Sequence, residues 1–128
     1  MIKIQVTGLP CSGKTTAITS YIKKNNNIDY IDIRSFQGPD KFKYYKKKIL
    51  KSSTNIIAES ACGIAIPGTY IIRLDTDKTE LYNRSIERDG YLDESYLSLL
   101  EMEMIKPQYT ATSIQGLHAI LDTLLTRS

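Results

Sequence analysis

Gly8-Leu9-Pro10-Cys11-Ser12-Gly13-Lys14-Thr15 follows directly on Ile2-Lys3-Ile4-Gln5-Val6-Thr7, where Ile2, Ile4 and Val6 alternate as in a strand. It runs into Thr16 to Lys24, where Ala17, Ile18, Tyr21 and Ile22 fall on one side of a helix. Strand, glycine loop and helix in this order decide the fold. The spacing Gly-x4-Gly-Lys-Ser/Thr has a physical reason: two glycines let the backbone close into a tight nest whose N–H groups point inward at phosphate oxygens. Lys14 adds a mobile positive charge, and Thr15 opens the helix, where its hydroxyl can take a magnesium position beside the positive helix end. The helix end contributes at most about 2 kcal/mol, too little for a triphosphate without the lysine and the metal. The ligand class that follows is a nucleoside polyphosphate, read as ATP with Mg2+, held by Gly8, Leu9, Pro10, Cys11, Ser12, Gly13, Lys14, Thr15 and Thr16.

A chain of 128 residues makes one domain, 1–128, with one core. It contains no run of about twenty apolar residues and starts on the strand before the glycine loop, so the expectation is a soluble, cytoplasmic protein with no membrane partner. Cys11 and Cys62 are the only cysteines, and Cys11 lies inside the loop, which argues for a reduced compartment and against a disulfide or a zinc site. The net charge of +3 is unevenly spread. Residues 1–58 carry eleven Lys and Arg against three Asp, a net +8, while residues 59–128 carry six against eleven acids, a net −5. Most of the positive excess sits at Lys41, Lys43, Lys46, Lys47, Lys48 and Lys51.

Further along, Ile28 to Ile33 alternates like a short strand that ends at Asp32 and is followed by Arg34. Gly38-Pro39-Asp40 is a turn or helix-start signal, and from Lys41 to Lys51 the apolar residues Phe42, Tyr45, Ile49 and Leu50 recur at helical spacing, with Phe42 and Tyr45 expected in the core. Thr54 to Ala58 is a third strand, apolar enough to be central, running into Glu59-Ser60. Thr69 to Asp75 is a fourth. Helices are expected over Asp77–Arg88 and from the N-cap Asp93 to about Ile105, then a short strand at Tyr109–Ala111 and a last helix capped by Ser113. His118 in that last helix is read as a packing or surface residue. Strands alternating with helices imply right-handed crossovers and a parallel sheet covered on both faces, with ligands beyond the carboxyl ends of the strands. Gly8, Asp32, Glu59 and Asp75 then share one rim. Glu59, closing a central strand beside the loop, is a candidate for magnesium together with Thr15, and Arg34 is a candidate for an acceptor phosphate.

Gly8 to Thr16, an acid closing strand two, Glu59-Ser60 closing strand three, Ile72 to Asp77, and Arg84-x3-Arg88 with Tyr96-Leu97-x2-Leu100 together resemble the deoxynucleoside and thymidylate kinases across most of the chain. The resemblance implies a three-layer α/β/α P-loop NTPase fold with a parallel sheet of about five strands and a lid region at about 84–95. It implies that Asp32 acts as general base on the acceptor hydroxyl and that Glu59 helps to hold magnesium; on the residues alone Asp29 is the nearest rival to Asp32. Lys14 would hold the β- and γ-phosphates, and Arg84 and Arg88 would stand on the lid side of the transferring group, where a fork of donors suits developing charge. The chain departs from that family where Glu59 is followed directly by Ser60 without an intervening Arg, in the lid reading Arg88-Asp89-Gly90, and in having one lysine-rich helix between strands two and three.

The expected function is transfer of a γ-phosphoryl group to a small acceptor, a deoxynucleoside or nucleoside monophosphate, with Lys14, Asp32, Arg84 and Arg88 catalytic and Asp32, Arg34 and Glu59 at the acceptor. Two other readings stay open. One is a kinase acting on the 5′-hydroxyl end of a nucleic acid, motivated by the lysine helix. The other is an ATP-binding or hydrolytic module without an acceptor pocket. The resemblance also allows a homodimer.

Overall fold

The computed structural model describes residues 1–8, 12–61, 63–75, 83, 86–88 and 105–126. Five strands, β1 (Lys3–Thr7), β2 (Ile28–Asp32), β3 (Asn55–Glu59), β4 (Thr69–Leu74) and β5 (Tyr109–Ala111), form one parallel sheet in the order β2-β3-β1-β4-β5. Helices α1 (Lys14–Lys24), α2 (Lys41–Lys51) and α3 (Ile114–Leu125) flank it. The sequence boundaries hold to within about two residues, because glycine, proline and the polar stop at Asn25 to Asn27 punctuate the chain where the hydrophobic period changes. Ser113 caps α3 as expected, its Oγ accepting from the Gly116 N–H at 3.0 Å. The expected helices over 77–88 and 93–105 lie largely outside the described residues; residues 83 and 86–88 are helical. Among the described residues no helix is long and apolar enough to cross a membrane.

Period-two alternation divides the sheet between two cores. Ile4, Val6, Ile57, Ile72 and Leu74 pack against Ala17, Ile18 and Tyr21 of α1 and Leu117, Leu121 and Leu124 of α3. Ile31, Ile56 and Ala58 face the other way, onto Tyr45 and Ile49 of α2 and Ile66. Truncating one of the fully buried leucines of α3 to Ala costs roughly 2–5 kcal/mol in such a setting. Helices α1 and α3 are latched together by Tyr21, whose hydroxyl donates to Asp122 at 2.7 Å, and by His118, which packs edge-on against Tyr21 with Nε2 2.8 Å from the Ala17 carbonyl. Of the packing and surface roles open to His118, the structure shows the packing one.

One expectation on α2, a buried Phe42, fails. Phe42 is 52% exposed and Leu50 is 47% exposed. Leu50 stands about 100° round the helix from Ile49, off the stripe that meets the sheet. Phe42 belongs to the first turn, where the Lys41 ammonium lies over its ring at 5.3 Å. Only Tyr45 and Ile49 enter the core. On the central strand, Gln5 is wholly buried and fully used: Nε2 donates to the Ile64 carbonyl and to Thr69 Oγ1, and Oε1 accepts from the Ile64 N–H. A buried amide left unpaired costs about 1–3 kcal/mol, so these bonds fix residues 63–69 against the sheet.

Candidate active site

At the carboxyl end of β1 the chain turns at Gly8, φ +151°, a backbone conformation that side chains rarely adopt. A Cβ there would lie 2.6 Å from the Leu74 carbonyl oxygen, so the turn is a cradle that only glycine leaves open. Gly13 is left-handed, φ +94°, and caps α1 without a side-chain bond, which leaves the positive helix end facing the rim. Lys14 is buried, and its ammonium donates to the Gly8 carbonyl at 2.6 Å. Ser12 is buried beside it, and Thr15 and Thr16 follow at the mouth. Leu9, Pro10 and Cys11 lie outside the described residues, as does Arg84.

A cleft of about 310 Å³ opens over this helix end, lined among others by Lys14, Thr15, Asp32, Arg34, Glu59 and Arg88. The parallel register explains the meeting: Glu59 pairs with Val6 on one side and Asp32 on the other, so both carboxylates end adjacent strands at one height. Their oxygens are held by a closed ring of hydrogen bonds. Thr15 Oγ1 donates to Glu59 Oε1 at 2.7 Å, and the Tyr30 hydroxyl donates to Glu59 Oε2 and lies 3.3 Å from Asp32 Oδ2. Arg34 Nε donates to Asp32 Oδ2 at 2.9 Å, and its Nη2 reaches Thr15 Oγ1 at 3.0 Å, closing the ring. The Arg34 backbone N–H also donates to Asp32 Oδ1 at 2.9 Å, capping the single helical turn Ile33–Ser35.

Charge follows from these contacts. Burial opposes ionisation of Asp32, but the side-chain and backbone hydrogen bonds from Arg34 and its charge outweigh burial and hold the carboxyl below the usual range. Burial first, then the hydrogen bond to Glu59, pushes the Tyr30 phenol well up, so it remains a neutral donor. Tyr30 was not among the residues singled out in the sequence. The available signal was its place two residues before Asp32 on one strand, which puts both on the same face.

Of the expected site residues, Gly8, Ser12, Gly13, Lys14, Thr15, Thr16, Asp32, Arg34, Glu59 and Arg88 come together at this rim. Asp29 does not: its Oδ2 accepts from Thr54 Oγ1 at the other end of β2. Asp75 sits at the end of β4, exposed and paired with Arg73 at 3.3 Å. The donor set of Thr15, Glu59 and Asp32 is all oxygen, with two carboxylates, which fits magnesium held by one or two carboxylates plus phosphates. Among the described residues no cluster of three His, Cys, Asp or Glu occurs.

No protein-family model matches the sequence, and no curated protein matches it. Solved structures do. An uncharacterized protein from Eubacterium ventriosum superposes with TM-score 0.70 at 12% identity over 100% of both chains. A shikimate kinase from Bacteroides thetaiotaomicron gives 0.66 at 18% identity over 98% of each chain. A gluconokinase from Sinorhizobium meliloti gives 0.63 at 13% identity over 99% of this chain and 97% of its own. At these identities the likeness is one of fold: the chain has the α/β/α fold of P-loop kinases, with its five-stranded parallel sheet.

Proposed function

We propose that this protein is an ATP-dependent phosphotransferase that moves a γ-phosphoryl group to a small acceptor, the hydroxyl of a deoxynucleoside or the phosphate of a nucleoside monophosphate being the first choice. The observation that carries the reading is the single cleft that holds the glycine cradle and buried Lys14 on one side and the Asp32–Arg34 pair on the other. The fold is shared with proteins named shikimate kinase, sugar kinase and gluconokinase, which supports a hydroxyl acceptor. The resemblance to deoxynucleoside and thymidylate kinases supports the nucleoside choice.

The roles follow from the atoms. The loop N–H groups and Lys14 bind the donor phosphates, and Thr15 and Glu59 are the residues to hold magnesium, with Asp32 beside them. Magnesium, when bound, neutralises charge on the β- and γ-phosphates. Asp32 is ionised at neutral pH and orients the acceptor hydroxyl or takes its proton. Arg34 has donors to spare for an anionic group on the acceptor, because its side chain is 70% exposed. Arg88, at the cleft mouth, and Arg84 are placed by this reading on the lid side. The acceptor oxygen bonds to the γ-phosphorus, the bond from that phosphorus to the bridging oxygen breaks and ADP leaves; where the acceptor is a hydroxyl, its proton passes to Asp32.

Lys14→Ala tests the assignment. Transfer, followed by ATP consumption and product mass over a panel of nucleosides, nucleoside monophosphates and hydroxy acids, is expected to fall by at least about a hundredfold while the far-UV spectrum is unchanged. Transfer at the wild-type rate in that variant would sink the reading.

A further inference from the structure

A second and larger cavity, about 790 Å³, lies at the free edge of the sheet, between β2 and α2. Its walls include Lys47, Lys48 and Lys51, the rings of Phe36 and Tyr44, and residues 29–31 of β2. Residues 44, 47, 48 and 51 are spaced three and four apart, so they form one stripe of α2. The other face of the helix, Tyr45 and Ile49, is buried in the core.

Solvation alone explains this stripe poorly. Helix α2 carries six lysines and no acid, and none of Lys47, Lys48 and Lys51 forms an ion pair among the described residues. Like charges at such spacing oppose the helix by a few tenths of a kcal/mol per pair. The helix dipole favours Lys48 and Lys51 in the last turn but works against Lys41 and Lys43 in the first. Lysines beside an edge strand also repel other strands, yet that purpose asks for no aromatic ring, and Tyr44 is 53% exposed in the same groove. The one acid in the wall, Asp29, is engaged by Thr54 Oγ1 at 2.5 Å.

The groove and the candidate active site are lined by adjoining residues of β2 and the turn after it. Residues 29–31 of β2 line the groove and residues 32–34 line the cleft, and Phe36 beyond the helical turn is again in the groove. At about 3.3 Å per residue, residues 29–31 lie within roughly 10 Å of Asp32 along the strand. We infer that the groove binds a single-stranded nucleic acid, with phosphates on the lysine stripe and a base against Tyr44, so that the strand's 5′ end enters the cleft at Asp32 and Arg34. The lysine stripe suits a chain of phosphates, and an exposed ring suits an unpaired base. Strand binding stands independently of catalysis. That the 5′-hydroxyl is the acceptor rests on the kinase reading above.

Fluorescence anisotropy of a labelled 12-nucleotide single strand with a 5′-hydroxyl, titrated with the full chain over a salt series, tests the binding, and the product mass of the strand after incubation with ATP and Mg2+ tests the transfer. Three phosphate contacts at about 0.7 each predict a slope near −2 in log affinity against log salt. The triple variants Lys47→Glu/Lys48→Glu/Lys51→Glu and Lys47→Gln/Lys48→Gln/Lys51→Gln are expected to lose binding at least tenfold and to flatten the slope, and Tyr44→Ala to lose at least about fivefold. Lys14→Ala is expected to bind the strand normally. The inference is overturned if wild-type protein does not bind at low salt, if both triple variants bind as wild type does, or if polyglutamate or anionic vesicles bind as tightly as the strand. Phosphorylation of mononucleotides without strand binding overturns the groove and leaves the kinase reading standing. Strand binding without phosphoryl transfer from any donor supports the groove and removes the kinase reading.

Discussion

The two sides of the cleft are built from different materials. The phosphate side, Gly8 and Ser12 to Thr15 at the head of α1, is made of backbone: two positive-φ glycines, a helix end and one buried lysine whose ammonium is tied to a carbonyl. The opposite side, from β2 to α2, is made of side chains: a carboxylate, an exposed arginine, a tyrosine and a stripe of lysines. A backbone site is fixed by conformation and fails all at once when one glycine is changed. A site of side chains can be retuned residue by residue, which suits recognition of an acceptor.

Gly8→Ala tests that contrast most severely. The new Cβ would collide with the Leu74 carbonyl at 2.6 Å in a backbone region unsuited to alanine. Strain of this kind costs about 1–3 kcal/mol, visible as a lower unfolding midpoint. Nucleotide binding, measured by calorimetry, is expected to vanish. A variant that binds ATP normally would mean that the loop's shape is not what holds the phosphates.

Arg34→Ala comes next, because this residue belongs to both sides through Asp32 and the Thr15 hydroxyl. In the ring it donates to one of the oxygens on which magnesium would depend, so arginine and metal compete for Thr15. Removing it is expected to tighten metal binding in a direct Mg2+ titration without acceptor. Turnover over KM for the acceptor should fall by ten- to a hundredfold, the loss expected for a charged hydrogen bond. Asp32, no longer held below the usual range, moves up. A depressed carboxyl contributes stability above about pH 4 that is lost as pH falls through its folded value, so the variant's acid-unfolding profile should flatten. Because Arg34 is so exposed, the change at pH 7 is expected to stay below about 1 kcal/mol. Unaltered metal affinity would show that the contact with Thr15 is incidental.

The same difference in material decides what could be read from the chain. Gly8, Gly13, Lys14 and Thr15 announce the phosphate side because backbone geometry demands particular residues at fixed spacing, and the strand ends at Asp32 and Glu59 follow from alternation alone. The acceptor side is spread over side chains whose meeting depends on register. Glu59 and Asp32 lie 27 positions apart and become neighbours only when β2 and β3 pair in parallel. That Arg34 would turn back to Thr15 is a matter of side-chain direction, on which no spacing bears. Phe42 lies outside the core for the converse reason: helical period gives the apolar positions, but the width of the sheet surface beneath α2 decides how many are covered. Tyr45 is a core residue as expected, yet burial first, and then the charges of Asp32 and Glu59, raise the pKa of its phenol against the opposing effect of Ser60, which no pattern of apolar residues indicates.

Tyr30→Phe is the finest probe of the comparison, since it deletes one hydroxyl and keeps the ring. The hydroxyl braces Glu59, on the phosphate side, against Asp32, on the acceptor side. Its loss should leave nucleotide affinity intact and lower turnover by less than tenfold, with the Mg2+ concentration for half-maximal rate rising as Glu59 loosens. The pH dependence separates this from a packing defect. A phenol whose folded pKa is raised contributes stability that is complete below about pH 10 and is lost as pH climbs from there toward the folded value. The wild-type melting temperature should therefore drop above about pH 10. The variant should drop less steeply and not become flat, because burial also raises Tyr21 and Tyr45. Identical alkaline limbs for the two proteins would mean that Tyr30 does not keep its proton for Glu59, and the brace between the two sides would have to be sought elsewhere in the ring.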